Sequence, residues 1–281
     1  MNAVLISGAA TGIGAATALR LARRGTPVLA NVRREADGAA LVAEGGSNVR
    51  PLVFDVTDAA AIERVRAELA AEPGFALDAL VNNAGIGLAG PLEILPLADI
   101  RKQLEVNVIG ALALTQAFLP MLRATRGRLI NVTSIAGKFA APFGGAYAAS
   151  KFALEAASDA LRLELAPFGI RVVMVEPGAV KTKFWERGAA AAEAMLEHVP
   201  PERLALYRGV LERFRSYVLK TVETAASADR VAATIERALV SPKPRARYLV
   251  GTDARLQLVL ARLPEPVRDA MVRNALGLGR A

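Results

Sequence analysis

A doubly wound α/β fold on a parallel sheet is the class this sequence predicts, and three observations predict it. The chain opens on a short apolar run, Ala3-Val4-Leu5-Ile6-Ser7, followed at once by a glycine-rich turn and a helical stretch. Apolar runs of strand length then alternate with helical stretches. The glycine-bearing and polar motifs fall directly after those runs, at the carboxyl edge of such a sheet, where ligands bind.

In chain order, Ala3 to Ser7 is the first buried strand. The turn after it is spaced G-x-x-x-G-x-G, with Gly8, Gly12 and Gly14 around Thr11 and Ile13. Glycines let this backbone bend tightly and approach a pyrophosphate, whose charge suits the unpaired N–H groups of the helix from Ala15 to Arg24. Strands are expected at Val28 to Asn31, Leu52 to Phe54, Leu77 to Val81, Arg128 to Val132, Arg171 to Val175 and Tyr248 to Val250. Helices are expected over Ala59 to Ala71, Val106 to Leu122 and Tyr147 to Leu165. The two last are apolar around much of their circumference, which implies burial on more than one face.

Tyr147-Ala148-Ala149-Ser150-Lys151 sets a phenol and an ammonium one turn apart on one helix face. A free tyrosine ionises near pH 10, so acid/base work near neutrality requires a displacement of about three pH units, or about 4 kcal/mol. A lysine charge about 5 Å away, at an effective dielectric of about 20, supplies roughly 3 kcal/mol of that. Lys151 is therefore expected to lower the Tyr147 pKa, and Tyr147 to move a proton.

With 281 residues, 53% of them hydrophobic, the chain can bury a large core, and its uninterrupted alternation points to one domain over residues 1–281. The absence of cysteine excludes disulfides, thiolate nucleophiles and cysteine metal sites, and no metal is expected. The net charge of +8 comes from scattered arginines without a nucleic-acid-binding pattern, so no nucleic-acid partner is expected. The first strand starts near residue 3 and no uninterrupted apolar run has membrane-spanning length, so a cytoplasmic protein without stable membrane insertion is expected. The lone histidine, His198, lies in a polar stretch and is read as having no catalytic part.

Together these motifs make the sequence similar to the classical short-chain dehydrogenase/reductase family across about its first 250 residues. The family's TGxxxGIG turn appears as Ser7-Gly8-Ala9-Ala10-Thr11-Gly12-Ile13-Gly14, with serine for the usual first threonine. Its NNAG element is Asn82-Asn83-Ala84-Gly85, and its helix asparagine, serine, tyrosine and lysine are Asn107, Ser134, Tyr147 and Lys151. The resemblance implies a Rossmann-type sheet, a nicotinamide cofactor and hydride transfer to or from a carbonyl/alcohol pair. It implies that Tyr147 donates the proton, Ser134 hydrogen-bonds the same oxygen, Lys151 bonds the nicotinamide ribose and Asn107 holds a water in a proton relay. Gly8, Thr11, Gly12, Ile13, Gly14, Asn83, Ala84 and Gly85 then border the cofactor, with Tyr147, Lys151, Pro177, Gly178, Val180 and Thr182 toward its nicotinamide end. Asp55 and Val56 resemble the adenine-contacting pair, and the family suggests a homodimer or homotetramer.

An acid at the end of the second strand favours NAD by bonding two ribose hydroxyls. That place is read here as Asn31, followed by Arg33 and Arg34, whose guanidinium groups suit a phosphate, so NADP is expected over NAD. Between Thr182 and Ser227 an insertion-like stretch carries Phe184, Trp185, Met195, Tyr207, Phe214 and Tyr217 at helical spacing. It is expected to roof the crevice, with Trp185 and Phe143 lining the substrate site beside Ser134 and Tyr147. The run from Pro244 to Gly251 is similar to family members that act on steroids and retinoids. A bulky hydrophobic ketone, aldehyde or secondary alcohol is the expected substrate. The alternative is a nucleotide sensor or scaffold that kept the fold, for which the intact Ser134, Tyr147 and Lys151 set would have no use. The amphipathic segment from Arg255 to Leu263 is expected to pack on protein.

Overall fold

The computed structural model describes residues 2–197 and 199–278, and His198 lies outside the described residues. Strand β1 (Ala3–Ile6) leads into α1 (Gly12–Ala22), β2 (Val28–Val32) into α2 (Glu35–Gly45), and β3 (Val49–Val53) into α3 (Ala59–Ala71). After β4 (Leu77–Asn82) come α4 (Leu97–Leu104), a π-helical turn (Glu105–Ile109), α5 (Gly110–Thr125), β5 (Arg128–Val132), α6 (Gly145–Glu164) and β6 (Arg171–Pro177). The chain continues through β7 (Val180–Lys181), α7 (Phe184–Leu196), α8 (Pro201–Glu223) and β8 (Ala226–Ser227). It ends with α9 (Ala228–Val240), β9 (Arg247–Val250), α10 (Thr252–Leu260) and α11 (Glu265–Leu276).

Seven strands form one parallel sheet in the order β3-β2-β1-β4-β5-β6-β9. Val4 and Ile6 face one core with Ala18, Leu21 and Ile235, whereas Ala3 and Leu5 face the other with Ile62, Leu114 and Phe118. This period-2 division explains why β1 is apolar at every residue: both faces of the sheet are covered by helices. The strand order reverses between β1 and β4, which opens a crevice at their carboxyl ends.

Local chemistry starts and stops the helices. Asp58 Oδ1 accepts from the Ala61 amide at 2.9 Å to begin α3, and Ser227 Oγ accepts from the Arg230 amide at 3.2 Å to begin α9. The stretch expected to roof the crevice leaves the sheet as an excursion of two helices. Its base is closed by the parallel pairs Val180↔Ala226 and Lys181↔Ser227.

Leu97–Thr125 is a continuous helix of 29 residues, long and apolar enough by composition to cross a membrane. Here it packs into the core, where Leu114, Phe118 and Leu122 are buried between the sheet and α3.

Candidate active site

The glycine turn and the segment after β4 are built as one unit. Ser7 Oγ accepts from the Asn83 and Ala84 amides at 2.9 and 3.0 Å, and Asn83 Nδ2 donates to the Ser7 and Gly8 carbonyls at 2.9 and 3.1 Å. Gly14 sits so close beneath them that a Cβ there would lie 2.3 Å from the Gly8 oxygen. Gly12 has φ +62 and supports Thr182, whose Cγ2 would lie 3.1 Å from a Cβ at that position. Thr11 heads α1 without a side-chain cap, and no acid occupies the first turn. The first-turn N–H groups, with Ile13 among them, are left without side-chain partners, and the cradle fits a pyrophosphate.

The second strand supplies a residue whose part differs from the expectation. Asn31 is buried; its Oδ1 accepts from the Gly8 amide at 3.1 Å and its Nδ2 donates to the Phe54 carbonyl at 2.9 Å. It points inward and braces the glycine turn, so the ribose-reading position is not Asn31. Arg34 is held by Asp37 through two hydrogen bonds of 2.9 and 2.8 Å, whereas exposed Arg33 makes no hydrogen bond or salt bridge among the described residues and acts on Asp37 through its charge alone. Asp55 Oδ1 accepts from the Thr57 amide and hydroxyl at 3.0 and 2.8 Å, and buried Val56 packs against Gly110.

Ser134, Tyr147, Lys151 and Asn107 converge beside the end of β5. The Ser134 hydroxyl lies within hydrogen-bonding reach of the Tyr147 phenol. It also bonds the Pro177 carbonyl at 3.3 Å and accepts from the Ala136 amide at 3.1 Å. Lys151 Nζ donates to the Val132 carbonyl at 3.0 Å and lies 5.7 Å from the centre of the Tyr147 ring. The π-helical turn carries Asn107. Both its N–H bonds are taken, by the Ile86 carbonyl at 2.9 Å and Ser150 Oγ at 2.9 Å, while Oδ1 accepts from the Ile86 amide at 2.8 Å. On the side chain, the remaining lone pair of that oxygen lies beside Gly85, where a water can reach it.

Electrostatics at the tyrosine also departs from the expectation. Burial pushes the Tyr147 phenol up to about 12, with the Ser134 hydrogen bond pulling the other way. Burial likewise brings Lys151 down to about 8, against the attraction of Glu155. Desolvation outweighs the pairwise attraction that the spacing suggested, so the resting phenol is protonated.

The nicotinamide-end segment is pinned residue by residue. Pro177 O meets Ser134 Oγ, the Gly178 amide donates to the Val250 carbonyl at 2.9 Å, and the Ala179 amide donates to Asp253 Oδ2 at 2.6 Å. Trp185 Nε1 donates to the Val180 carbonyl at 3.0 Å. The indole thus braces this segment, and it is Phe184 that packs on Tyr147, with ring centres 5.6 Å apart, and presses against Gly87. Phe143 sits one layer out, its ring 5.3 Å from Phe214 of α8 and its carbonyl accepting from the Gly90 amide at 2.8 Å. Asp253 lies outside the residues expected to matter, and Ser7 stands in the turn motif without an expected role of its own. Ser7 could have been found as the hydroxyl before the turn, whereas Asp253 carries no sequence signal.

Comparison with known proteins agrees with this geometry. The family model described as short chain dehydrogenase matches residues 2–192. Retinol dehydrogenase 5 of Homo sapiens is 36% identical over 277 residues, covering 96% of this chain and 87% of the relative. An NADPH-dependent 3-dehydrocapnine reductase of Ornithobacterium rhinotracheale is 32% identical over 257 residues, covering 89% of this chain and 88% of the relative. A short-chain dehydrogenase structure from Streptomyces avermitilis superposes with a TM-score of 0.80 at 30% identity, covering 97% of this chain and 95% of that one. Family match, sheet order and the convergence of four segments on one crevice give one conclusion: the chain belongs to the short-chain dehydrogenase/reductase family and is a nicotinamide-dependent oxidoreductase.

Proposed function

We propose that this protein is an NADP-dependent oxidoreductase of bulky hydrophobic ketones, aldehydes or secondary alcohols, working through Ser134, Tyr147 and Lys151. The observation that supports it most is the Ser134 hydroxyl within reach of a protonated Tyr147 phenol, with Lys151 Nζ 5.7 Å from its ring. When bound, the nicotinamide cofactor supplies the hydride. As negative charge grows on the carbonyl oxygen, Ser134 hydrogen-bonds it and Tyr147 gives it a proton. Lys151, protonated below about pH 8, steadies the phenolate left behind. A phenol at about 12 is in the donor form throughout the neutral range, the form that a carbonyl substrate needs.

The glycine turn and the open start of α1 would hold the pyrophosphate, and Arg33 the 2′-phosphate. An NADPH-dependent relative supports that choice. The apolar wall of Phe184, the aromatic pair Phe143 and Phe214, and a relative named for retinol support a large hydrophobic substrate. The test is cofactor oxidation with a panel of carbonyls. Turnover with a long-chain or polycyclic carbonyl and NADPH is expected, and tight cofactor binding with no turnover across the panel would favour a sensor instead.

A further inference from the structure

Beneath the site lies a charged node that none of these steps uses. Lys138 follows the turn that begins at Ser134, Glu155 lies one turn beyond Lys151 on α6, Glu176 precedes Pro177 on β6, and Arg247 opens β9. Lys138 Nζ is 2.6 Å from Glu155 Oε2 and 3.8 Å from Glu176 Oε1. Arg247 reaches the same two oxygens at 3.2 and 3.1 Å, and Asp159 Oδ2 at 2.5 Å. Both glutamates are 3% exposed. Both cations meet Glu155 through Oε2, and its Oε1 is buried with no hydrogen-bond partner among the described residues. A buried carboxylate oxygen left unpaired is costly. The adjacent Glu176 carboxyl can satisfy it only if one of the two carries a proton.

We propose that Glu176 carries a proton directed at the unpaired Glu155 oxygen, and that Glu155 is a positioning residue whose charge keeps the Lys151 ammonium protonated. The inference rests on the role given to Lys151 above. Burial and the Glu155 charge push Glu176 up to about 7, with Lys138 and Arg247 opposing. The charged groups that face the pair are Lys138 beyond the Ser134 turn, Arg247 from β9, and Lys151 and Asp159 from α6 itself. As pH rises through about 7 Glu176 gives up its proton. The Glu155 charge is already at work where Lys151 loses its proton, near about 8, and without it burial would strip that proton at lower pH. The node thus extends the working range toward alkaline pH.

The test pairs kinetics with a titration of the cofactor-free chain. Removing the Glu155 charge lowers the Lys151 pKa. The alkaline limb of the kcat–pH profile should therefore move to lower pH in Glu155→Gln, by about half a pH unit or more. In unmutated protein carrying carboxyl-13C glutamate, one glutamate carboxyl should titrate near pH 7, and in Glu155→Gln it should return toward the ordinary range. A slower or less stable Glu155→Gln with its alkaline limb unmoved would reduce Glu155 to a structural residue and overturn the proposal. So would an unmutated chain in which no glutamate carboxyl titrates above about pH 6. That titration decides the carboxyl pair even if the variant fails to fold. A wild-type chain inactive with every carbonyl would defeat the catalytic reading alone.

Discussion

Burial works against the charge that Tyr147 and Lys151 would each carry: it keeps the Tyr147 phenol neutral, whereas Lys151 below about pH 8 holds an ammonium that burial opposes. Tyr147→Phe removes only the hydroxyl, so kcat should fall by about 10²-fold or more while the melting temperature and cofactor affinity stay close to wild type. Lys151 makes a sharper test of the electrostatics. Its folded pKa, about 8, lies below its ordinary 10.5, so the unfolded chain binds more protons between those values. Stability therefore rises with pH across that window, and below it the buried ammonium costs on the order of 3 kcal/mol. Lys151→Met should abolish turnover yet lose much of this pH dependence in thermal melts from pH 7 to 10; an unchanged dependence would mean that Lys151 is solvated. At the 2′ end, Arg33→Asp should weaken NADP binding far more than NAD binding in a direct titration, and equal losses would reject Arg33 as the phosphate ligand. The identity of Ser134, Tyr147 and Lys151 was legible from spacing and motif. The sign of the Tyr147 shift was not, because desolvation depends on what covers the ring, and no pairwise distance contains it.

At the scale of elements, apolar runs such as Leu77 to Val81 and Arg128 to Val132 mark the strands because a sheet covered on both faces needs no polar alternation. The excursion between Thr182 and Ser227 was legible as helical and as an insertion. Its inner residue was not. Phe184 and Trp185 are neighbours of similar character, and only the helix phase in α7 decides that one faces Tyr147 while the other bonds Val180. The same limit applies to Asn31, whose inward amide cannot be read from a strand end. Two variants separate the roles. Phe184→Ala should change kcat/KM among substrates of different size while leaving NADP affinity within about twofold, because it touches tyrosine and not the pinned segment. Trp185→Ala removes the bond to Val180 and should weaken cofactor and substrate together. Reversed behaviour of the pair would return Trp185 to the substrate wall.

For the whole molecule, the sheet order brings four loops to one crevice, and the remaining chain serves to hold and cover them. We propose a homodimer or homotetramer, supported by exposed Phe152 and Leu163 on α6 and Ile109 beside α5, apolar residues for which a second subunit is the natural cover. The net charge of +8 comes from arginines scattered along the sequence and raises encounter rates with anions such as a phosphate-rich cofactor. The most direct measurement is the initial rate of reduced-nicotinamide oxidation. It compares NADPH with NADH, a polycyclic or long-chain carbonyl with a short polar ketone, and wild type with Tyr147→Phe. The expected result is turnover with NADPH and the bulky carbonyl that falls by about 10²-fold or more in the variant. Comparable rates in wild type and Tyr147→Phe, or a clear preference for the short polar ketone, would contradict it.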